Sequence, residues 1–215
     1  MSYRNELKKV LHHFIPQKSI TRCINLLVYY NVEFVVAPSR SSKYGDSSND
    51  SELKKYKITV NEDLNRYSFL ITLIHEIAHI STWKKYPRVA HPHGLHWKKE
   101  YRRHMKYFLG ENIFPKPLVH ALAHFIEDPS STSCNNFNLH KVLMAYDKPK
   151  RGWYYLERLQ YNSKFKINTG RIFIKRKVLK KNIECREFFT KDIYLLSRLM
   201  MVKPISQEYS LRKAV

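Results

Sequence analysis

Through roughly the first 150 residues, apolar positions recur at intervals of three and four. In the remainder they alternate with basic ones. The first rhythm belongs to helices with one buried face, the second to half-buried strands. Residues 5–14 and 19–30 read as amphipathic helices, and the β-branched runs VEFVVA (32–37) and YKITV (56–60) as strands. The polar, turn-rich stretch between those strands, 39–54, reads as a loop holding a short strand near Tyr44. Phe69, Leu70, Leu73, Ile74, Ile77 and Ile80 then mark a helix over 66–84, preceded by helix-start residues at 61–65 and stopped by Pro87. A basic helix over 95–109, a short helix at 116–128, a loop at 128–138 and a further helix at 138–146 follow. The segment DKPKRG marks a module boundary. Beyond it, alternation around Asn168-Thr169-Gly170 and around Thr190-Lys191-Asp192 predicts hairpins in an antiparallel sheet of three to five strands, with Tyr154, Phe173, Phe188, Phe189 and Tyr194 in its core. The expected fold is α+β. Residues 1–147 form a helical domain with a small sheet against the 66–84 helix, and residues 148–215 a small antiparallel β module.

The helix over 66–84 carries the chemistry. Within ITLIHEIAHI, His75 and His79 lie four apart and so stack one turn above each other on one face. Two imidazoles so placed can grip one metal ion. Glu76, offset by one residue, stands beside that ion, as in the H-E-x-x-H arrangement of zinc hydrolases. The alternative is three polar residues tolerated by a buried helix. Against it, a glutamate is almost never fully buried without a partner. A catalytic zinc takes three protein ligands and keeps one position open. The longer pattern H-E-x-x-H-x-x-G-x-x-H fails, because its last two places hold Thr82 and Lys85. The next cluster, AHPHGLHWKKEYRRH, offers His91, His93, His96, His104 and Glu100. Pro87 and Pro92 let the chain turn back there, and residue chemistry alone leaves the third ligand open among them. His120 and His124, also four apart, have no acid or third ligand at useful spacing and read as packing or surface residues.

HEIAH, thirteen intervening residues and then HGLHW resembles the SprT-like zinc metallopeptidase family of the SprT/Spartan type. Its members read H-E-x-x-H, a short insertion, then H-G-x-x-[WF]. KYGD (43–46) and KITVNEDLN (57–65) resemble the segment that precedes the metal helix in bacterial members. The resemblance implies one zinc ion on His75, His79 and His93, with Glu76 as catalytic base and Trp97 in the family's aromatic place. Many relatives end in a zinc ribbon with paired cysteines. Only Cys185 stands in that region here, so the terminal module resembles a ribbon that has lost its metal.

Composition sharpens this picture. Of 215 residues 43% are hydrophobic, enough for a core, and no apolar run reaches the roughly 18 residues of a membrane span. The charged start MSYRNELKKV lacks the apolar stretch of a signal peptide. Cys23, Cys134 and Cys185, odd in number and far apart, suit a reducing compartment. A cytoplasmic protein with no membrane partner is the expectation. The formal net charge is +21, and residues 141–215 alone carry 19 Lys plus Arg against 6 Asp plus Glu. Such an excess attracts a polyanion, with nucleic acid foremost. The expected contacts are Lys98, Lys99, Arg102 and Arg103 on the basic helix, and Lys175, Arg176, Lys177, Lys180 and Lys181 on the sheet.

These residues predict a zinc-dependent endopeptidase in which Glu76 takes the proton of the attacking water. Tyr44, His91 and His96 are candidates to steady the oxyanion. By resemblance, the partners are DNA, bound without sequence preference, and a protein substrate bound or crosslinked to it. The other class of function is a nucleic-acid-binding protein with a structural zinc site and no proteolysis. Nothing in the sequence fixes the oligomeric state.

Overall fold

The computed structural model describes residues 2–40, 43–50, 55–87, 91–129, 136–148 and 151–205. Cys134 and most of the expected 128–138 loop lie outside them. The chain divides into two compact units, Met1–Asp147 and Lys148–Val215. Together they are α+β, with six α-helices and two sheets among the described residues. No described helix is long and apolar enough to cross a membrane.

The first unit begins with α1 (Tyr3–Phe14) and α2 (Ile20–Tyr29). Strands β1 (Val32–Ala37), β2 (Gly45–Asp50) and β3 (Lys55–Asn61) form a sheet in the order β1-β3-β2. The central strand β3 runs parallel to β1 and antiparallel to β2. The short strand expected near Tyr44 is β2, longer than GDSSND with its low β-propensity suggests. The ladder supplies what the residues lack: Gly45 pairs with Val60 and Ser47 with Ile58, so a six-residue edge strand forms.

Helix α3 (Arg66–Lys85) packs on β2, β3 and the later helix α4. It is buried on nearly every side, which explains why it lacks a polar face. Asn65 caps it: its carbonyl accepts from the amides of Tyr67 and Ser68, and its amide donates to Leu143 O and Asp147 Oδ1. Ser81 and Thr82, buried in the last turns, donate back to Ala78 O and so need no partner from outside the helix. Helices α4 (Leu95–Gly110), α5 (Lys116–Glu127) and α6 (Phe137–Leu143) complete the unit.

The second unit is one antiparallel sheet of six strands, where three to five are expected: β4 (Tyr154–Tyr155), β5 (Lys164–Lys166), β6 (Ile172–Val178), β7 (Asn182–Glu187), β8 (Ile193–Ser197) and β9 (Met201–Pro204), with β9 returning to lie between β4 and β5. The β5–β6 turn is the expected Asn-Thr-Gly, with Gly170 at a positive φ of 86°. Two further expectations are corrected here. Phe189 is 71% exposed and, with the half-buried Phe188, lies outside the core, which is built on Leu156, Leu159, Phe165, Phe173, Ile183, Cys185 and Val202. Lys175 does not face solvent with its basic neighbours. It is 3% exposed, on the same side of β6 as Phe173, and its ammonium donates to the carbonyls of Leu156, Glu157 and Leu159. An ammonium has three donors, and here all three have backbone acceptors. The reason for the burial is pairing: the ammonium meets three backbone carbonyls of the β4–β5 connection.

Candidate metal centre

His75 and His79 project from one face of α3, and His93 reaches them from the turn before α4. That turn is tight: His93 has φ of 59°, in the left-handed region, and Gly94 follows as the residue before the helix. A non-glycine residue held there costs on the order of 1–3 kcal/mol, strain of the kind that gathers at functional sites. A side chain on Gly94 would press to 3.2 Å from the carbonyl oxygen and Cβ of His91.

The three Nε2 atoms form a nearly equilateral triangle. His75 to His93 is 3.1 Å, His79 to His75 is 3.2 Å and His79 to His93 is 3.1 Å. Among the described residues these three are the group that can hold a metal ion. Four-coordinate zinc with Zn–N distances of about 2.0–2.1 Å places ligand nitrogens about 3.3–3.4 Å apart, so the triangle is already close to that spacing. Three imidazole nitrogens converging in a half-buried place also lack hydrogen-bond donors enough for one another, and a cation resolves that. Burial holds His75 well below the ordinary histidine range, His79 at about 4, and lowers His93 too, with mutual repulsion among the rings adding to the first two. All three are therefore neutral near pH 7, the state a metal ligand needs. The fully buried Trp97 makes a common wall, with ring centroids 4.6 Å from His75, 5.4 Å from His79 and 4.8 Å from His93. Tyr101 stacks behind it at 5.0 Å.

Glu76 lines the same cleft, a space of about 360 Å³ shared with the three histidines and Tyr44. It is 6% exposed. Burial pushes its carboxyl up to about 7, opposed by a 2.8 Å hydrogen bond that Ser47 Oγ donates to Oε2, and raised further by Asp46. Strand β2 comes this close because Gly45 has no side chain: a Cβ there would lie 2.6 Å from Thr72 Cγ2 and 3.0 Å from Glu76 Oε1. Sequence reasoning passes over Ser47, since a serine in a polar stretch carries no signal. Gly45 sits inside the KYGD segment and was legible only through resemblance.

The remaining candidates divide. Tyr44 lines the cleft. His91 is exposed, and His96 stacks on Tyr86 with ring centroids 4.1 Å apart; neither lines the cleft. On α4, Lys98 pairs with Asp128 at 2.5 Å, and Arg102 donates to Ile126 O and Glu127 O at the end of α5. Arg103 pairs with the buried Glu100, and Lys99 is exposed. On the sheet, Lys177, Lys180 and Lys181 are exposed, while Arg176 is half-buried beside Asn162. His124 is exposed and faces Glu127. Comparison of the chain with family models, with curated proteins and with solved structures returns no match.

Proposed function

We propose that the chain is a zinc-dependent endopeptidase of the SprT-like type, acting on proteins bound or crosslinked to DNA. The observation that carries the peptidase reading is the convergence of three neutral imidazoles beside a raised, hydrogen-bonded carboxylate in one open cleft. Bound zinc supplies an acidified water, its pKa lowered toward about 7, and a Lewis acid for the scissile carbonyl. His75, His79 and His93 hold the ion. Glu76, whose proton affinity suits a base working near neutral pH, takes the proton of the attacking water and returns it to the leaving amine. Ser47 fixes the direction of its carboxylate. Tyr44 is the lining side chain available to steady the oxyanion.

A purely structural zinc site has no use for Glu76, nor for an open cleft beside the metal. The DNA part of the proposal rests on the cationic surplus, carried at the surface by Lys99, Lys177, Lys180 and Lys181, since Lys175 is buried and Lys98, Arg102, Arg103 and Arg176 are engaged by groups of the protein itself. The test is metal analysis of the purified chain, followed by cleavage of a casein-like unstructured protein with chelator, with zinc restored, and with or without DNA. One zinc per chain and chelator-sensitive cleavage support the proposal. Absence of both sinks it.

A further inference from the structure

The larger of the two cavities described lies away from the metal cleft. It holds about 560 Å³, within the ordinary range of ligand sites, and its lining shares no residue with the metal cleft. Its walls come from α2, the last turn of α3, and α4. Four cations line it, Arg22, Lys84, Lys85 and Arg103, against one carboxylate, Glu100.

Glu100 sets their geometry. It is 1% exposed, accepting from Lys85 Nζ at 3.1 Å and from Arg103 Nη2 at 2.7 Å. Two half-exposed cations are thereby fixed at the wall by a carboxylate that solvent hardly reaches. Lys84 has an aromatic partner instead, with Nζ 4.5 Å from the ring centre of Tyr29 and 5.5 Å from that of Tyr30. Tyr29 is 68% exposed, a large ring left in water at the edge of a basic hollow. A merely solvated basic surface needs neither a concave wall, nor a buried carboxylate to aim its cations, nor an exposed ring among them. Fixed cations beside a solvent-exposed aromatic ring suit a ligand that is anionic at one end and flat at the other.

We propose that this cavity binds a nucleotide unit, with its phosphate on Lys84, Lys85 and Arg103 and its base on the ring of Tyr29. The proposal goes beyond the peptidase reading and stands without it. A free nucleoside monophosphate and the phosphorylated end of a single strand offer the same chemistry.

Calorimetric titration of the whole chain at low salt tests it, with dAMP, deoxyadenosine, inorganic phosphate, and a short single-stranded oligonucleotide with and without a 5′-phosphate. Binding of dAMP at least tenfold tighter than deoxyadenosine or inorganic phosphate is expected. Lys84→Glu weakens it tenfold or more. Tyr29→Ala costs about tenfold, the scale of one lost base stack, and Tyr29→Phe restores it. Lys116→Glu, exposed on α5 and outside the cavity, changes it less than twofold. An oligonucleotide that outbinds dAMP only when phosphorylated identifies a strand end as the ligand; one that does not identifies the free nucleotide. Both residues changed are exposed, so the fold is spared, and an unchanged circular dichroism spectrum verifies that. The proposal is overturned if neither dAMP nor the phosphorylated oligonucleotide binds. Binding that Lys84→Glu and Tyr29→Ala leave unchanged overturns it equally.

Discussion

Ser47, on an edge strand, donates a 2.8 Å hydrogen bond to Oε2 of Glu76, on the metal helix, 29 positions further along the chain. The bond orients the carboxylate and favours its charged form. Ser47→Ala therefore leaves zinc content unchanged and lowers kcat by about tenfold, the scale of one hydrogen bond to a charged group. With the bond gone the Glu76 carboxyl rises further. The acid limb of the rate profile moves to higher pH, because the base must be deprotonated to act. A pH series of kcat/KM on the two proteins checks both effects.

The third metal ligand separates from its neighbours by affinity. His93→Ala weakens zinc binding by roughly a hundredfold or more, beyond the 10–100-fold usual for residues that only support a ligand. His91→Ala and His96→Ala change it less than about tenfold, since one side chain is exposed and the other stacks on Tyr86. Glu100→Ala shows its effect in stability instead, by leaving Lys85 and Arg103 without their carboxylate. Competition titrations against a chromogenic chelator rank the four.

In the sheet unit, the Lys175 ammonium ties β6 to the carbonyls of Leu156, Glu157 and Leu159. Lys175→Met keeps the aliphatic stem but strips donors from three carbonyls. It lowers the stability of that unit by about 3 kcal/mol, at about 1 kcal/mol per hydrogen bond lost. Chelator leaves the unit folded. Urea unfolding followed at Trp153, with Trp83 and Trp97 replaced by Phe, measures both statements.

His104 gives the first unit a dependence on pH. It is 1% exposed, and burial holds its pKa down to about 4, with Arg103 beside it adding to the effect. The folded protein keeps this imidazole neutral where the unfolded chain, with a pKa near about 6.5, takes up a proton. Unfolding thus binds a proton between these values, and stability present above pH 6.5 is lost as pH falls toward 4. The span corresponds to roughly 3 kcal/mol. A His104→Gln variant, measured beside the wild type in chelator, has a pH–stability curve flatter by about that amount.

Much of this was legible because helical periodicity and the H-E-x-x-H spacing are local. Residues 66–84 could be placed within a residue of α3, and His75, Glu76 and His79 followed from the spacing alone. His93 required resemblance, since its meeting with α3 depends on a turn in which a histidine takes a left-handed conformation. The length of strand β2 was hidden, though not its place near Tyr44, because its pairing is specified by β3 and not by its own serines and aspartates. Lys175 was misplaced for a related reason. Alternation tells which residues share a face, but not which face is buried, and a basic residue is assigned outward unless carbonyls wait for it within.

In the proposed peptidase, Glu76 stands beside the metal and acts as the base. The decisive measurement is zinc content and cleavage of an unstructured protein by Glu76→Gln, prepared and assayed alongside the wild type. The prediction is one zinc per chain in both proteins, an unchanged fold, and cleavage by the variant lowered by about 100- to 10,000-fold. Cleavage at the wild-type rate would contradict the mechanism, and loss of zinc would make Glu76 a ligand instead.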